Sequence, residues 1–114
     1  MASAELRINP LFAEDLKEII HYEDQKNGSK IKSAALINEI IDKIQILTDF
    51  PEIGPSLSRI IKINTDYRYL IVGSYIIFYR YDRNVVKVNR VFNAKRDYLY
   101  LLFDQNDSAA QSGE

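Results

Sequence analysis

Cysteine and tryptophan are absent from this 114-residue sequence, and histidine occurs once. Without cysteine, the chain has no disulfide framework and no thiolate that could ligate a metal or attack a substrate, and it suits a reducing compartment. The lone histidine, His21, falls in a predicted helix, away in sequence from the main cluster of basic residues. Because an isolated helical histidine is usually a surface or structural residue, we expect no histidine general base.

Long apolar runs and cofactor motifs are also missing. No apolar run approaches the roughly 20 residues that span a bilayer, and the first residues lack the basic-then-apolar pattern of a signal peptide. The sequence has no glycine-rich phosphate loop, no nucleophile elbow and no metal-binding spacing of histidine or acid. We therefore expect a cytoplasmic protein without metal or other cofactor. Its length predicts a single domain, over 1–103. The polar, small residues that follow predict a disordered tail over 104–114.

The net charge of −1 conceals an uneven distribution of charged residues. Residues 1–57 contain six basic and ten acidic side chains, whereas residues 58–103 contain nine basic and three acidic ones. Residues 104–114 contain three acidic side chains and no basic one. A cationic segment of this kind predicts an anionic partner, which is either a nucleic acid or an acidic protein segment.

The first half of the chain predicts one strand and two helices. Residues 5–9 alternate polar and apolar side chains, and Asn9-Pro10 supplies a helix N-cap followed by proline at the first helical position. The first helix is predicted to end just before Asn27-Gly28, and a second helix to cover 30–48 after a Ser29 cap. So short a connection predicts an antiparallel helical hairpin. The apolar positions expected to be buried are Phe12, Leu16, Ile19 and Ile20, then Ile37, Ile40, Ile41, Ile44 and Leu47.

The second half predicts an antiparallel meander, which follows a proline-rich loop. Three apolar, aromatic-rich strands are predicted over 67–72, 75–82 and 85–92. The pairs Gly73-Ser74 and Arg83-Asn84 between them have the length of hairpin turns. Residues 59–63 have strand composition and would open the meander, while Asn93 would cap a terminal helix over 94–103. Large apolar side chains at both alternating positions predict that the sheet is covered on both faces.

Basic side chains are spaced through the meander and the start of the predicted last helix. The candidate binding residues are Arg68, Arg80, Arg90, Lys95 and Arg96. Strand pairing could bring several of them to one side of the sheet, and a helix N-terminus near Lys95 would also attract anions. Alternatively, Arg80 or Arg90 could pair internally with Asp82 or Asp97.

Four motifs occur together in this chain. They are YR-x-L-x-V-x-x-Y-x-x-FYR at 67–80, V-x-V-x-RV at 86–91, KRD at 95–97 and the loop FPEIG at 50–54. With the opening strand and the helical hairpin, they make residues 4–103 resemble the RelE/ParE superfamily of toxins from type II toxin–antitoxin pairs. The resemblance implies an α+β fold. In that fold a helical hairpin packs on a mainly antiparallel sheet of four to five strands, with an N-terminal strand and a short C-terminal helix.

The resemblance leaves two mechanisms of different classes open. In the ParE-like branch, which we favour, the chain is not an enzyme, and its cationic sheet and terminal helix dock on DNA gyrase and inhibit it. In the RelE-like branch, the chain is an endoribonuclease that cuts mRNA in the ribosome. Such cleavage requires cations around the phosphate and a donor for the leaving oxygen. The candidate catalytic residues for that branch are Arg68, Arg80, Lys95, Arg96 and Tyr98.

Two departures from the nuclease pattern favour the binding toxin. Ile76 stands where the nuclease branch has a strand arginine, and Leu102 stands where it has a tyrosine, with Tyr98 and Tyr100 nearby. Arg80 lies four residues beyond Ile76 and therefore on the same face of a strand, so it could compensate for the missing charge. A third possibility is an inert structural or adaptor domain, whose induced expression would be harmless.

The resemblance also implies a partner. Toxins of this superfamily are neutralised by a small ParD-like or RelB-like antitoxin, whose C-terminal segment wraps the toxin in a hetero-oligomer. We expect that segment to contact the solvent side of the helical hairpin and the cationic sheet. The resemblance implies that the target is either DNA gyrase or the ribosome with its mRNA. We expect no membrane association and no sequence-specific DNA binding by the chain alone.

Overall fold

A mixed sheet lies at the centre of the structure, a computed structural model that describes residues 3–103. Within that range the strands are β1 (Glu5–Ile8), β2 (Arg68–Val72), β3 (Tyr75–Asp82) and β4 (Val85–Asn93). Their spatial order is β1-β4-β3-β2, in which β1 pairs with β4 in parallel and the other neighbours are antiparallel. This confirms the predicted α+β architecture. The predicted tail lies outside the described residues.

The helical hairpin forms as predicted. α1 covers Pro10–Asn27 and α2 covers Lys30–Asp49. The Asn9 side chain accepts a hydrogen bond from the backbone N–H of the second helical residue, which caps α1. Gly28 ends α1 with a φ of 61°, a left-handed conformation that favours glycine, and Ser29 caps α2.

Two tight turns join the strands of the meander and confirm the predicted hairpins. Gly73 has a φ of 58° in the turn between β2 and β3. Arg83 and Asn84 have φ values of 51° and 63° in the turn between β3 and β4. Positive φ at both central residues is the geometry that matches the twist of a two-residue hairpin. These turns fix the register, so that Val72 pairs with Tyr75 at the end of β2.

Alternating side chains of the sheet belong to two separate apolar clusters. Ile77 and Tyr79 pack in the cluster that includes the buried residues of α1 and α2. Ile76 and Phe78 pack in the second cluster, with the helical residues 98–103. The sheet is therefore covered on both faces, as predicted. We call the two sides the hairpin face and the C-terminal face.

The strand predicted over 59–63 is wrong. Leu57–Arg59 form a short 3-10 helix, and the chain after it turns without pairing. The hydroxyl of Ser58 donates to the carbonyl oxygens of Ile63 and Thr65 at 3.2 and 2.9 Å and accepts from the Thr65 N–H at 3.2 Å. These local bonds hold the segment in a compact loop, although its β-branched composition suits a strand.

The terminal helix begins later than predicted. The backbone N–H of Ala94 donates to the carbonyl oxygen of Ser74 at 2.7 Å, which continues the sheet past β4, and a turn follows. Helical residues start at 98, where Asp97 rather than Asn93 accepts a hydrogen bond from a backbone N–H of the first turn. Lys95 and Arg96 therefore lie in a turn before the helix, not at its N-terminus.

Two helix positions predicted to be buried are exposed. Ile20 and Ile41 are 38% and 39% exposed, whereas their neighbours Ile19 and Ile40 are 6% and 0% exposed. One residue along a helix rotates a side chain by about 100°, which places these isoleucines at the edge of the buried stripe. They leave apolar surface on the solvent side of the hairpin.

Candidate binding surface

Arg68 lies on the hairpin face, where it holds the loop that follows α2. Its Nη1 atom donates to the carbonyl oxygens of Gly54 at 2.7 Å and Glu52 at 3.2 Å, and its Nη2 atom lies 3.6 Å from the Glu52 carboxylate. Directly opposite on β3 is Tyr79, which points to the same face. The Arg68 side chain is 29% exposed. Its guanidinium therefore organises the loop and presents little surface to a partner.

The loop at Gly54 leaves no room for a side chain. The backbone N–H of Gly54 donates to the Tyr79 hydroxyl at 2.9 Å in the interior. A Cβ atom at position 54 would lie 2.4 Å from the carbonyl oxygen of Tyr69 and 2.7 Å from the Tyr79 hydroxyl. Burial raises the pKa of the Tyr79 phenol, opposed by the Gly54 N–H and by the charge of Arg68. The phenol is thus held neutral as part of the loop's support.

Arg80 lies on the opposite face from Arg68. Its Nε atom forms an ion pair with Asp66 at 2.9 Å, and its guanidinium carbon lies 4.1 Å from the centre of the Tyr67 ring. It shares the C-terminal face with Ile76, as expected from their spacing. Its ionic partner is Asp66, a residue that the sequence did not suggest. The sheet therefore separates the two arginines.

Arg90 is buried and joins β4 to α1. Its Nε and Nη2 atoms each donate to the Asp15 carboxylate at 2.8 Å, and the backbone N–H of Val91 donates to the same carboxylate at 3.1 Å. The two charged side chains are only 10% and 7% exposed. Sequence reasoning missed Asp15, although its position three residues after Phe12 and four before Ile19 places it on the buried stripe of α1. Arg90 thus has a structural partner and offers little surface for binding.

Lys95 and Arg96 are exposed in the turn after β4. The Asn93 side chain accepts a hydrogen bond from the Lys95 backbone N–H at 2.8 Å, which shapes the turn. The Nη1 atom of Arg96 lies 4.0 Å from the Glu18 carboxylate of α1, and both side chains are more than half exposed. The guanidinium also lies 5.9 Å from the centre of the Phe92 ring. Of the predicted residues, these two form the accessible cationic pair.

The two residues that depart from the nuclease pattern are part of the core. Ile76 and Leu102 are 6% and 1% exposed. Tyr98, a candidate catalytic residue of the nuclease branch, is partly buried, and its ring centre lies 5.4 Å from that of Phe78. These side chains pack the C-terminal helical residues onto the sheet. Of the five candidate catalytic residues, Arg68 lies on the hairpin face, Arg80 and Tyr98 lie on the C-terminal face, and Lys95 and Arg96 project from a turn.

A cleft of about 410 Å³ opens between α1 and the end of β4. We call it the α1–β4 cleft. Its lining includes the buried side chains of Ile19, Tyr75 and Phe92 and the exposed side chains of Glu18, Lys95 and Arg96. The Tyr75 hydroxyl donates to the Glu23 carboxylate at 2.8 Å. Burial and that carboxylate raise the pKa of Tyr75 far above its ordinary value, so the phenol stays neutral.

Metal and membrane sites are not evident in residues 3–103. In that part of the chain, no three histidine or acidic side chains are grouped so that they could hold a metal ion. Neither α1 nor α2, nor the helical segment at 98–103, combines the length and apolar character that a membrane crossing requires.

Comparison with known proteins identifies a family and a similar fold. A family model described as the ParE toxin of the type II toxin–antitoxin system parDE matches residues 6–98. A solved structure described as the chromosomal ParDE TA system from P. aeruginosa is similar with a TM-score of 0.67, over 80% of this chain and 96% of that chain. At 15% sequence identity, this similarity shows the fold alone. No curated protein matches the sequence.

Proposed function

Because the chain belongs to the ParE toxin family of type II toxin–antitoxin systems, we propose that it arrests growth by binding DNA gyrase and inhibiting it. One observation carries the choice of a binding toxin over a nuclease: Arg68 and Arg80 lie on opposite faces of the sheet. Both guanidinium groups already have partners within the chain. That of Arg68 donates to loop carbonyl oxygens, and that of Arg80 pairs with Asp66.

Nuclease chemistry would need those groups to converge. In-line attack by a ribose hydroxyl requires cations that surround one phosphate and a donor close to the leaving oxygen. In this chain, Ile76 and Leu102 fill the core, and Tyr98 packs against Phe78. The RelE-like alternative rests on Arg80, which shares the face of Ile76. The charge distribution supports docking better than catalysis.

Inhibition of purified gyrase is the test of this proposal. The chain, freed from any antitoxin, should stop DNA supercoiling in proportion to its concentration, and added antitoxin should restore it. A heat-denatured sample of the same preparation is the control. Unchanged supercoiling at a large molar excess of folded chain would refute gyrase as the target.

We further propose that a ParD-like antitoxin neutralises the chain. The similar P. aeruginosa structure is described as a ParDE system, and the hairpin of this chain has exposed apolar residues that a partner segment would cover. Those exposed at 38% or more are Leu11, Ile20, Tyr22, Ile31, Ile41 and Ile46. Acidic residues of the same antitoxin would lie on the exposed cationic side chains, of which Lys95 and Arg96 are the most accessible pair.

Salt should weaken the complex with the antitoxin. Raising ionic strength from 0.1 M to 1 M shortens the Debye length from about 10 Å to about 3 Å, so exposed cations attract an acidic segment less. We expect the dissociation constant to rise about tenfold or more over that range. Isothermal titration calorimetry at several salt concentrations measures this change. An affinity independent of salt would show that apolar contacts alone hold the complex.

A further inference from the structure

The two cations beside the α1–β4 cleft, Lys95 and Arg96, have few acidic neighbours within the described part of the chain. Among the described residues, no carboxylate oxygen lies within 4.0 Å of the Lys95 ammonium group, and Arg96 has one contact at that limit, with Glu18. The side chains of Arg96 and Glu18 are 51% and 74% exposed, so their attraction is weak and screened. The cleft thus has two cations available to a carboxylate from outside.

The interior of the same cleft is apolar and roomy. Its volume of about 410 Å³ falls within the range of about 300–1,000 Å³ typical of pockets that bury a small ligand. Ile19 and Phe92 contribute buried apolar surface, and Tyr75 contributes its ring while its hydroxyl is bonded to Glu23. The cleft therefore combines an apolar interior with cations at its exposed end.

We propose that the α1–β4 cleft binds an acidic segment of the antitoxin, which inserts one bulky apolar side chain beside Ile19 and Phe92 and places a carboxylate on Lys95 and Arg96. Charge complementarity carries the choice of an acidic occupant. The choice of the antitoxin as its source rests on the proposed function. Glu18 occupies the position of that carboxylate in the free chain and is displaced from Arg96 on binding.

Glu18 and Arg96 carry opposite charges beside the same cleft, so substitutions at the two positions should change the antitoxin affinity in opposite directions. Removing the charge of Glu18 should tighten the complex, because the internal competitor and its repulsion of the incoming carboxylate are lost. Reversing the charge of Arg96 should weaken it, because the acidic segment then meets an acidic turn. A role in stability alone would not give these two changes opposite effects on affinity.

The experiment measures binding of the cognate antitoxin to four full-length variants by calorimetry. Glu18→Gln should lower the dissociation constant about twofold to fivefold, and Arg96→Glu should raise it about tenfold or more. Glu14→Gln is the matched control for the first, since it lies one turn earlier on α1 and outside the cleft. Lys62→Glu is the matched control for the second, and both controls should differ from wild type by less than twofold.

The outcomes separate this inference from the proposed function. If wild type binds no antitoxin, the partner itself is wrong. If wild type binds the antitoxin but Glu18→Gln and Arg96→Glu behave like their controls, antitoxin binding at the cleft is refuted while the toxin assignment stands. If Arg96→Glu abolishes gyrase inhibition without changing antitoxin affinity, the cleft belongs to the target, and the inference is also overturned. Lys95→Glu replaces Arg96→Glu if the latter fails to fold.

Discussion

Replacing Arg90 with leucine is expected to lower the free energy of unfolding by about 3–5 kcal/mol. The substitution leaves the Asp15 carboxylate, whose side chain is 7% exposed, buried without its counter-charge. The remaining hydrogen bond from the Val91 N–H cannot compensate for the two that are lost. Because Arg90 ties β4 to α1, the loss should also loosen the α1–β4 cleft. Urea unfolding followed by circular dichroism measures the effect.

Two further variants test whether the loss of stability comes from the buried Arg90–Asp15 ion pair. Arg83→Leu removes an arginine whose side chain is 93% exposed, and it should leave the unfolding midpoint unchanged within error. The double variant Asp15→Leu with Arg90→Leu removes both charges, so it should recover much of the stability that the single variant loses. If Arg90→Leu were as stable as wild type, the buried ion pair would have no structural role.

Gly54→Ala is expected to cost about 2–4 kcal/mol, since the added methyl group overlaps its neighbours and breaks a buried hydrogen bond. The nearest atom is a backbone oxygen, that of Tyr69, which cannot rotate away as a flexible side chain could. The loop must shift, and the Gly54 contacts with Tyr79 and Arg68 are lost with it. Urea unfolding of the variant measures the cost.

Gly28→Ala and Tyr79→Phe are the comparison variants for Gly54→Ala, which has no left-handed backbone strain. Gly28 has a φ of 61° and no atom within 4 Å of an added Cβ, so alanine there should cost only the left-handed backbone strain of roughly 1–2 kcal/mol. Tyr79→Phe removes only the acceptor of the Gly54 N–H and should cost about 1–3 kcal/mol. If Gly54→Ala cost no more than Gly28→Ala, the close packing around position 54 would be disproved.

Most of the fold follows from local signals in the sequence. The caps at Asn9 and Ser29 and the two-residue turn at Arg83-Asn84 each act within a few residues, and all formed as predicted. The strand predicted over 59–63 failed because composition alone does not supply a neighbouring strand. The hydroxyl of Ser58 bonds across that segment and turns it into a loop.

The separation of Arg68 from Arg80 could have been predicted. A two-residue turn at Gly73-Ser74 pairs Val72 with Tyr75, so counting back along both strands pairs Arg68 with Tyr79. Arg80, one residue further, must then point to the other face. The turn that sets the strand register is therefore visible in the sequence, whereas strand composition alone suggested that the arginines share one cationic face.

The partner of Arg90 is a different case. Asp15 lies 75 residues away in sequence, and only the packing of α1 along β4 brings the two side chains together. An acidic residue on the buried stripe of α1 indicates that a buried counter-charge is needed, yet it does not identify which arginine supplies it. The pairing depends on tertiary structure, which local patterns do not encode.

A parallel assay of one antitoxin-free preparation on two targets tests the central claim most directly. The chain is added to gyrase in a supercoiling reaction and to ribosomes programmed with mRNA, with Arg80→Ala and Arg96→Ala alongside. We predict that the wild-type chain inhibits supercoiling and that the mRNA stays intact with all three proteins. Cleaved mRNA that disappears with Arg80→Ala or Arg96→Ala, together with normal supercoiling, would contradict the binding-toxin account and establish a nuclease.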